Sequence, residues 1–260
     1  MTSPAAGPAA NPIVLFDLDD TLMAHREAVA TGIAHHMRAR AYRGDEQAAA
    51  QRWHQLEEQH YTSYLEGSLT YEGQRRARAA AFAEAFGEDL DEAAATAWFG
   101  EYVRHYRDAW TLHDDALPAL DAITAALPGV RFGIITNGEL AFQTSKVERL
   151  ALQARMEHII ASGDVGVAKP DARIFREALR RFDGTSPVSA AAYVGDRLRT
   201  DAIGAARAGL LGIWLDRHGA EPAAADAAEA DAVGVVRIRG LHELPALLTK
   251  RLGRPTAERA

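Results

Sequence analysis

The sequence contains no cysteine among its 260 residues. A disulfide framework, a zinc site built from thiolates and a cysteine nucleophile are therefore all excluded. The sequence also lacks an apolar run long enough to span a membrane. Residues 1–11 are mostly small residues and proline, without the basic and then apolar order of a secretory signal. We therefore expect a cytoplasmic protein with no membrane partner.

Positive charge is neither in excess nor concentrated in one segment. The formal net charge is -7 at pH 7, and Lys and Arg are spread along the chain. Nucleic acid is therefore not an expected partner. Hydrophobic residues make up 48% of the chain, which is enough for a well-buried core in one large or two modest domains.

Short apolar runs alternate with amphipathic stretches through most of the chain. A run that is apolar on both faces is typical of a buried parallel strand. The predicted strands are 13–16, 130–135, 158–161, 191–194, 212–215 and 233–238, and the predicted helices between them are 115–127, 139–150, 171–182, 200–208 and 241–248. This alternation predicts an α/β fold, a doubly wound, Rossmann-like parallel sheet with helices on both faces.

Residues 24–110 interrupt this alternation because they contain no strand-like run and favour helix. They hold 12 of the 19 aromatic residues, which we expect to form the core of a small helical domain. We predict about four helices here, inserted after the first strand. The predicted boundaries are a disordered tail at 1–11, a core at 12–23 and 111–250, a helical insert at 24–110 and a second tail at 251–260.

Acidic residues follow the first predicted strand. Asp17 and Asp19 are two positions apart, so their side chains point the same way on an extended chain. Two adjacent carboxylates stay ionised only when a cation is near, and Mg²⁺ prefers oxygen ligands. A solvated turn is an equally good interpretation of this segment by itself.

Two later segments carry groups suited to binding a phosphate. Thr136 and Asn137 end a strand before a glycine and a helix, where a hydroxyl and backbone amides can hold an anion. The same residues are also compatible with an ordinary helix cap. Lys169 precedes Pro170, which predicts a helix start at the proline and a fixed direction for the lysine. A solvated surface lysine is the alternative.

A fourth segment again places acids after a buried run. Asp196 follows the predicted strand at 191–194, and Asp201 lies in the first turn of the next helix. An acidic residue that only stabilises the amino terminus of that helix is an alternative interpretation of Asp201. All four segments lie at the carboxyl ends of predicted parallel strands. In open α/β sheets, ligands bind at that edge, at the point where the strand order reverses.

In this order, these residues resemble the haloacid dehalogenase superfamily, most of whose members are phosphatases. The matching segments are Asp17-Leu18-Asp19-Asp20-Thr21, Thr136-Asn137, Lys169-Pro170 and Gly195-Asp196 through Asp201. The insert at 24–110 is similar to the helical cap of the family's first subfamily. The segment Gly166-Val167-Ala168-Lys169-Pro170 is similar to the corresponding segment in the branch of the family that contains nucleotide and sugar phosphatases.

The resemblance implies a role for each matched residue. Asp17 would be the nucleophile and Asp19 the general acid and base, while Thr136, Asn137 and Lys169 would bind the phosphate. A Mg²⁺ ion would bind Asp17, the backbone carbonyl of Asp19, and Asp196, with support from Asp201. Members that break carbon–halogen or carbon–phosphorus bonds lack an acid two residues after the nucleophile, so Asp19 favours phosphate esters.

The leading prediction is a magnesium-dependent phosphatase acting on a small phosphorylated metabolite, such as a nucleoside monophosphate or a sugar phosphate. A phosphosugar mutase of similar architecture also needs Asp17 and Asp19, so the sequence leaves it open. A non-catalytic binding module that keeps the fold is a third alternative. The expected oligomeric state is a monomer or a homodimer.

Overall fold

The computed structural model describes residues 10–253, and within them the core is a six-stranded sheet in which all neighbouring strands are parallel. The strands are β1 (Asn11–Phe16), β2 (Arg131–Thr136), β3 (His158–Ala161), β4 (Val188–Gly195), β5 (Leu211–Leu215) and β6 (Val236–Ile238). Their spatial order is β3-β2-β1-β4-β5-β6. The order reverses at β1, which places this strand and its neighbour β4 at the switch point of the sheet.

The apolar runs form strands because both faces of the sheet are covered. Ile13 and Leu15 of β1 are inaccessible to solvent and belong to a core cluster with Ile174, Phe175 and Phe182, which lie on a helix. The neighbouring Val14 and Phe16 point to the opposite face and are equally buried. The predicted doubly wound α/β fold is thus confirmed.

The chain divides into two compact units, one of which is Ala24–Thr111. Its helices are α1 (His25–Ala39), α2 (Glu46–Leu65), α3 (Tyr71–Glu84) and α4 (Glu92–Asp108). Three of these helices have an N-cap residue whose side chain accepts a hydrogen bond from a backbone amide of the first turn, namely Asp45, Thr70 and Asp91. The large rings pack together inside this unit, as Trp53 shows by contacting Phe82, Trp98, Phe99 and Tyr102.

The other unit carries the sheet and the remaining helices. These are α5 (Ala116–Ala126), α6 (Leu140–Arg149), α7 (Ser162–Val165), α8 (Ala172–Thr185), α9 (Gly204–Arg207), α10 (Ala224–Ala232) and α11 (Leu244–Leu252). A π-helical turn, Leu198–Ile203, precedes α9, and a 3-10 turn, Leu241–Glu243, precedes α11.

Several predicted boundaries need correction. Asn11 belongs to β1 and not to a tail, because its amide donates to the Pro187 carbonyl at 3.0 Å, whereas residues 1–9 lie outside the described part of the chain. The second predicted tail begins inside α11, which continues to Leu252. The final strand begins at Val236, because residues 233–235 form the turn after α10. In the part of the chain that the structure describes, no helix has the length and apolarity needed to cross a membrane.

Candidate active site

The first predicted strand delivers its two aspartates to the edge of the sheet at the switch point. The Asp17 amide donates to the carbonyl of Val194 on β4 at 2.8 Å, so the strand pairing continues to the start of the acidic segment. Thr136 ends the adjacent strand β2, and Asp196 directly follows β4. The three chain segments therefore leave neighbouring strands side by side.

Lys169 lies at the centre of the buried charges. Its ammonium donates to Asp17 Oδ1 at 2.6 Å, to Asp201 Oδ1 at 2.8 Å and to the Tyr193 hydroxyl at 2.8 Å. The Tyr193 hydroxyl in turn donates to the Ile135 carbonyl at 2.9 Å. Burial lowers the pKa of Lys169, but the charges of Asp17 and Asp201 outweigh it, so its pKa lies above the ordinary value. The lysine is therefore a charged group held within the site, and the surface alternative is wrong.

The helix after Lys169 begins later than the sequence predicted. Pro170 does not start it, because α8 begins at Ala172 and the side chain of Asp171 accepts from the Arg173 amide at 2.9 Å. The peptide bond between Lys169 and Pro170 is cis. The main chain of Lys169 is held instead by hydrogen bonds with the side chain of Asn137.

Asn137 binds the main chain of Lys169 through both ends of its amide. Its Nδ2 donates to the Lys169 carbonyl at 3.1 Å, and its Oδ1 accepts from the Lys169 amide at 2.8 Å. This geometry suits a residue that holds the lysine in place rather than one that binds a phosphate oxygen directly. Thr136 is buried beside it at the end of β2. The Lys169 ammonium already donates to three groups, so it would have to give up one of them to bind an anion.

Asp201 reaches the site from the π-helical turn. Its Oδ2 accepts from the Arg197 amide at 2.9 Å, while its Oδ1 is bound by Lys169. Gly195 makes this approach possible, because a side chain at that position would overlap the Asp201 carboxylate. A small residue at the end of β4 therefore brings the second acid of the segment against the sheet edge.

The carboxylates of Asp17, Asp196 and Asp201 can hold a metal ion, since their oxygens lie within 4.8 Å of one another. Burial, despite the opposing charge of Lys169, raises the pKa of Asp17 to about 7, with contributions from Asp201 and Asp19. Burial and the charges of Asp201 and Asp17 raise the pKa of Asp196 well above its usual range. One lysine does not balance this negative charge, so a divalent cation with oxygen ligands fits the donor set.

Asp19 lies close to a second lysine, Lys146 of α6. The Lys146 ammonium donates to Asp19 Oδ1 at 2.7 Å and to Oδ2 at 2.8 Å. The side chain of Lys146 is 3% exposed, whereas that of Asp19 is 27% exposed. Asp19, the predicted general acid and base, is therefore partly accessible to solvent while both of its carboxylate oxygens contact a buried lysine.

Lys146 and Tyr193 are functional residues that the sequence did not predict. A compositional signal was present for the lysine, because the chain has only three lysines and two of them, Lys146 and Lys169, are buried here. The third, Lys250, is exposed on α11. Tyr193 gave no such signal, because a tyrosine within an apolar run is ordinary strand composition.

Comparison with known proteins identifies the class to which this fold and site belong. The model of the haloacid dehalogenase-like hydrolases matches residues 12–209. The chain therefore belongs to this family of hydrolases, as the sequence predicted.

Named relatives in sequence are phosphatases. Over 136 residues the chain is 35% identical to pyrimidine 5'-nucleotidase YjjG from Escherichia coli, a match that covers 52% of this chain and 57% of the nucleotidase. It is 30% identical to the phosphoserine phosphatase of Thermus thermophilus over 231 residues, covering 79% of this chain and 88% of that protein. The chain thus spans little more than half of the first relative and most of the second.

Among solved structures, the fold is similar to the HAD-hydrolase YfnB from Bacillus subtilis, whose crystal contains magnesium. The TM-score is 0.74 at 20% identity, and the match covers 92% of this chain and 99% of that one. At this level of identity the likeness concerns the fold alone.

Proposed function

We propose that this protein is a magnesium-dependent phosphatase that hydrolyses a phosphate monoester of a small metabolite. The observation that carries the proposal is the buried Asp17 carboxylate, bound by Lys169 at 2.6 Å and close to Asp196 and Asp201. The relatives named above act on a pyrimidine nucleotide and on phosphoserine. They support a small phosphorylated metabolite, such as a nucleoside monophosphate or a sugar phosphate, as the substrate class.

In the proposed first step, an oxygen of Asp17 attacks phosphorus and the bond to the leaving oxygen breaks. This gives an aspartyl-phosphate, and covalent catalysis divides one difficult displacement into two easier ones. Asp19 donates a proton to the leaving oxygen, which departs as the alcohol. In the second step, Asp19 takes a proton from the water that attacks the aspartyl-phosphate, and inorganic phosphate is released.

Other residues of the site would orient the phosphoryl group. The Lys169 ammonium and the Thr136 hydroxyl would bind its oxygens as negative charge develops there. Asn137 contributes through Lys169, whose main chain it holds at 2.8 and 3.1 Å. Asp17, the Asp19 carbonyl and Asp196 would hold Mg²⁺, with Asp201 supporting, and the ion would screen the repulsion between the nucleophile and the phosphate.

The test is release of inorganic phosphate from a panel of nucleoside monophosphates, sugar phosphates and phosphoserine, with Mg²⁺ present. We expect turnover of at least one compound by the wild type and a loss of about 10⁴-fold in Asp17→Asn. Asp231→Asn, which changes an exposed aspartate of α10, is the matched control and should retain full activity.

Two results would contradict the proposal. One is the absence of phosphate release across the whole panel by a folded wild-type protein. The other is equal phosphate release by the wild type and Asp17→Asn. A mutase would be recognised by an isomeric sugar phosphate as the main product, with little free phosphate.

A further inference from the structure

Lys146 is a buried lysine that contacts Asp19 at the candidate active site. Lys146 lies on α6, outside the segments that carry the family resemblance, and its ammonium contacts both oxygens of Asp19 at 2.7 and 2.8 Å. Only Lys146, Lys169 and Lys250 are lysines in this chain, against 26 arginines among its 29 basic residues. The two buried lysines each contact one aspartate of the first acidic segment, Lys169 contacting Asp17 and Lys146 contacting Asp19.

The surroundings of Lys146 fix the direction of its side chain. Its ammonium lies 5.3 Å from the centre of the Phe142 ring, which is one turn earlier on α6. Gln143, also buried on this helix, donates to the Asn137 carbonyl at 3.3 Å. Residues three and four apart share a helix face, so this face of α6 is directed at the turn after β2 and at Asp19.

A simple stabilising role explains this arrangement poorly. Taking an ammonium group out of water is unfavourable, and its attraction to a carboxylate that still contacts water compensates only partly. A compact ammonium that meets both oxygens of one carboxylate does, however, limit rotation of that carboxylate. The unfavourable burial of the Lys146 ammonium is explained by a reaction that depends on the orientation of Asp19.

We propose that Lys146 is a positioning residue that holds the Asp19 carboxyl group where it exchanges protons with the leaving oxygen and with the attacking water. This inference rests on the proposed phosphatase function. Proton transfer requires a short, aligned path, and a displacement of about 1 Å can cost on the order of 10²-fold in rate. Lys146 does not touch the phosphoryl group in this assignment and acts only through Asp19.

The experiment compares two substrates that differ in their need for protonation. Phenyl phosphate has a basic leaving oxygen that needs a proton from Asp19, whereas the nitrophenolate of p-nitrophenyl phosphate departs without one. We expect Lys146→Met to lower kcat/KM by about 10²-fold on phenyl phosphate but by less than about fivefold on p-nitrophenyl phosphate. Lys250→Met changes the exposed lysine and should leave both values unchanged.

A double-mutant cycle adds a readout that loss of packing does not reproduce. Asp19→Asn should show the same dependence on the leaving group, and adding Lys146→Met to it should cause no further loss on phenyl phosphate. Independent, multiplied losses would overturn the assignment. An equal loss on both substrates in Lys146→Met, or no loss on either, would overturn it as well.

Failure of this inference can be told apart from failure of the proposed function. If the wild type hydrolyses neither aryl phosphate nor any compound of the metabolite panel, the phosphatase proposal itself is wrong. If the wild type is active and Asp17→Asn is not, the response of Lys146→Met decides the role of Lys146 alone. Should Lys146→Met not fold, Lys146→Gln keeps a polar end and carries the same comparison.

Discussion

Both units of this protein bury charged side chains, but they balance the charge differently. In the core, the carboxylates of Asp17, Asp196 and Asp201 converge at the edge of the sheet around the single ammonium of Lys169. In the helical insert, Glu57 forms an ion pair with Arg78, whose Nη2 lies 3.0 Å from Glu57 Oε1. The core site has an excess of negative charge, whereas the pair of Glu57 and Arg78 is balanced.

The pKa values follow the same division. At the core site, burial and neighbouring acids raise the pKa values of Asp17 and Asp196. In the insert, burial also raises the pKa of Glu57. The charge of Arg78 and the nearby imidazoles of His25 and His54, 3.4 and 3.9 Å from Glu57 Oε2, outweigh burial, and the pKa lies well below its ordinary value. A buried acid that is paired with a base stays ionised, whereas several buried acids around one base create a site that favours a cation.

Among changes to the basic partners of the buried acids, the largest expected effect comes from removing the ammonium of Lys169 at the centre of the core cluster. Lys169→Met should lower phosphatase activity by about 10³-fold, because a preorganised donor to the phosphoryl oxygens is lost. Phosphate release on the best substrate of the panel measures it, and Lys250→Met is the control. Activity within tenfold of the wild type would show that Lys169 is not needed for the reaction.

Breaking the balanced pair in the insert should affect stability instead. Arg78→Met leaves Glu57 largely buried without its partner and should lower the free energy of unfolding by about 3 kcal/mol. Adding Glu57→Leu should restore part of this loss. Urea unfolding followed by tryptophan fluorescence suits the measurement, because three of the four tryptophans lie in the insert. A loss below about 1 kcal/mol, or no recovery in the double variant, would argue against a stabilising pair.

Magnesium should stabilise the core site and have no effect through the insert. At a concentration of 100 times its Kd, Mg²⁺ should add about 2.7 kcal/mol to the free energy of unfolding. Asp196→Asn removes one ligand and relieves repulsion, so we expect no loss of stability in EDTA but a much smaller response to Mg²⁺. Thermal unfolding in EDTA and in Mg²⁺ checks this, with Glu57→Gln as the control that keeps the full response.

The effect that is smallest at neutral pH, and that grows as the pH falls, concerns a buried histidine of the insert. Burial, together with Arg40 and His105, lowers the pKa of His36 from 6.5 to about 3. The unfolded chain therefore binds a proton below pH 6.5 that the folded chain does not bind, so this residue makes stability fall as pH decreases from 6.5 towards 3. The slope is at most about 1.4 kcal/mol per pH unit.

His36→Leu should remove this contribution, because neither ring nitrogen of His36 has a hydrogen-bond partner within residues 10–253. The difference in stability between the wild type and His36→Leu should shift against the wild type as pH falls through that window. Urea unfolding at pH 7, 5.5 and 4 measures the shift, and His218→Leu, at an exposed histidine, is the control. A difference that is constant with pH would contradict the assignment.

The sequence by itself determined the elements that end at the site. Buried parallel strands need apolar residues on both faces, so the positions where the runs stop before Asp17, after Thr136 and before Asp196 were visible in the order of residues. The insert was visible for the opposite reason, since its residues favour helix and contain no such run. Family and fold class were predicted correctly from these local patterns.

Only the tertiary structure decided which side chains meet at the sheet edge. Lys146 reaches Asp19 across 127 positions of sequence, and Lys169 reaches Asp17 across 152. Such contacts depend on the strand order and on the direction of α6, neither of which has a local pattern. For the same reason Asn137, which the sequence assigned to the phosphate, turns out to bind the main chain of Lys169. Residue order placed the acids at strand ends, and packing determined which charges oppose them.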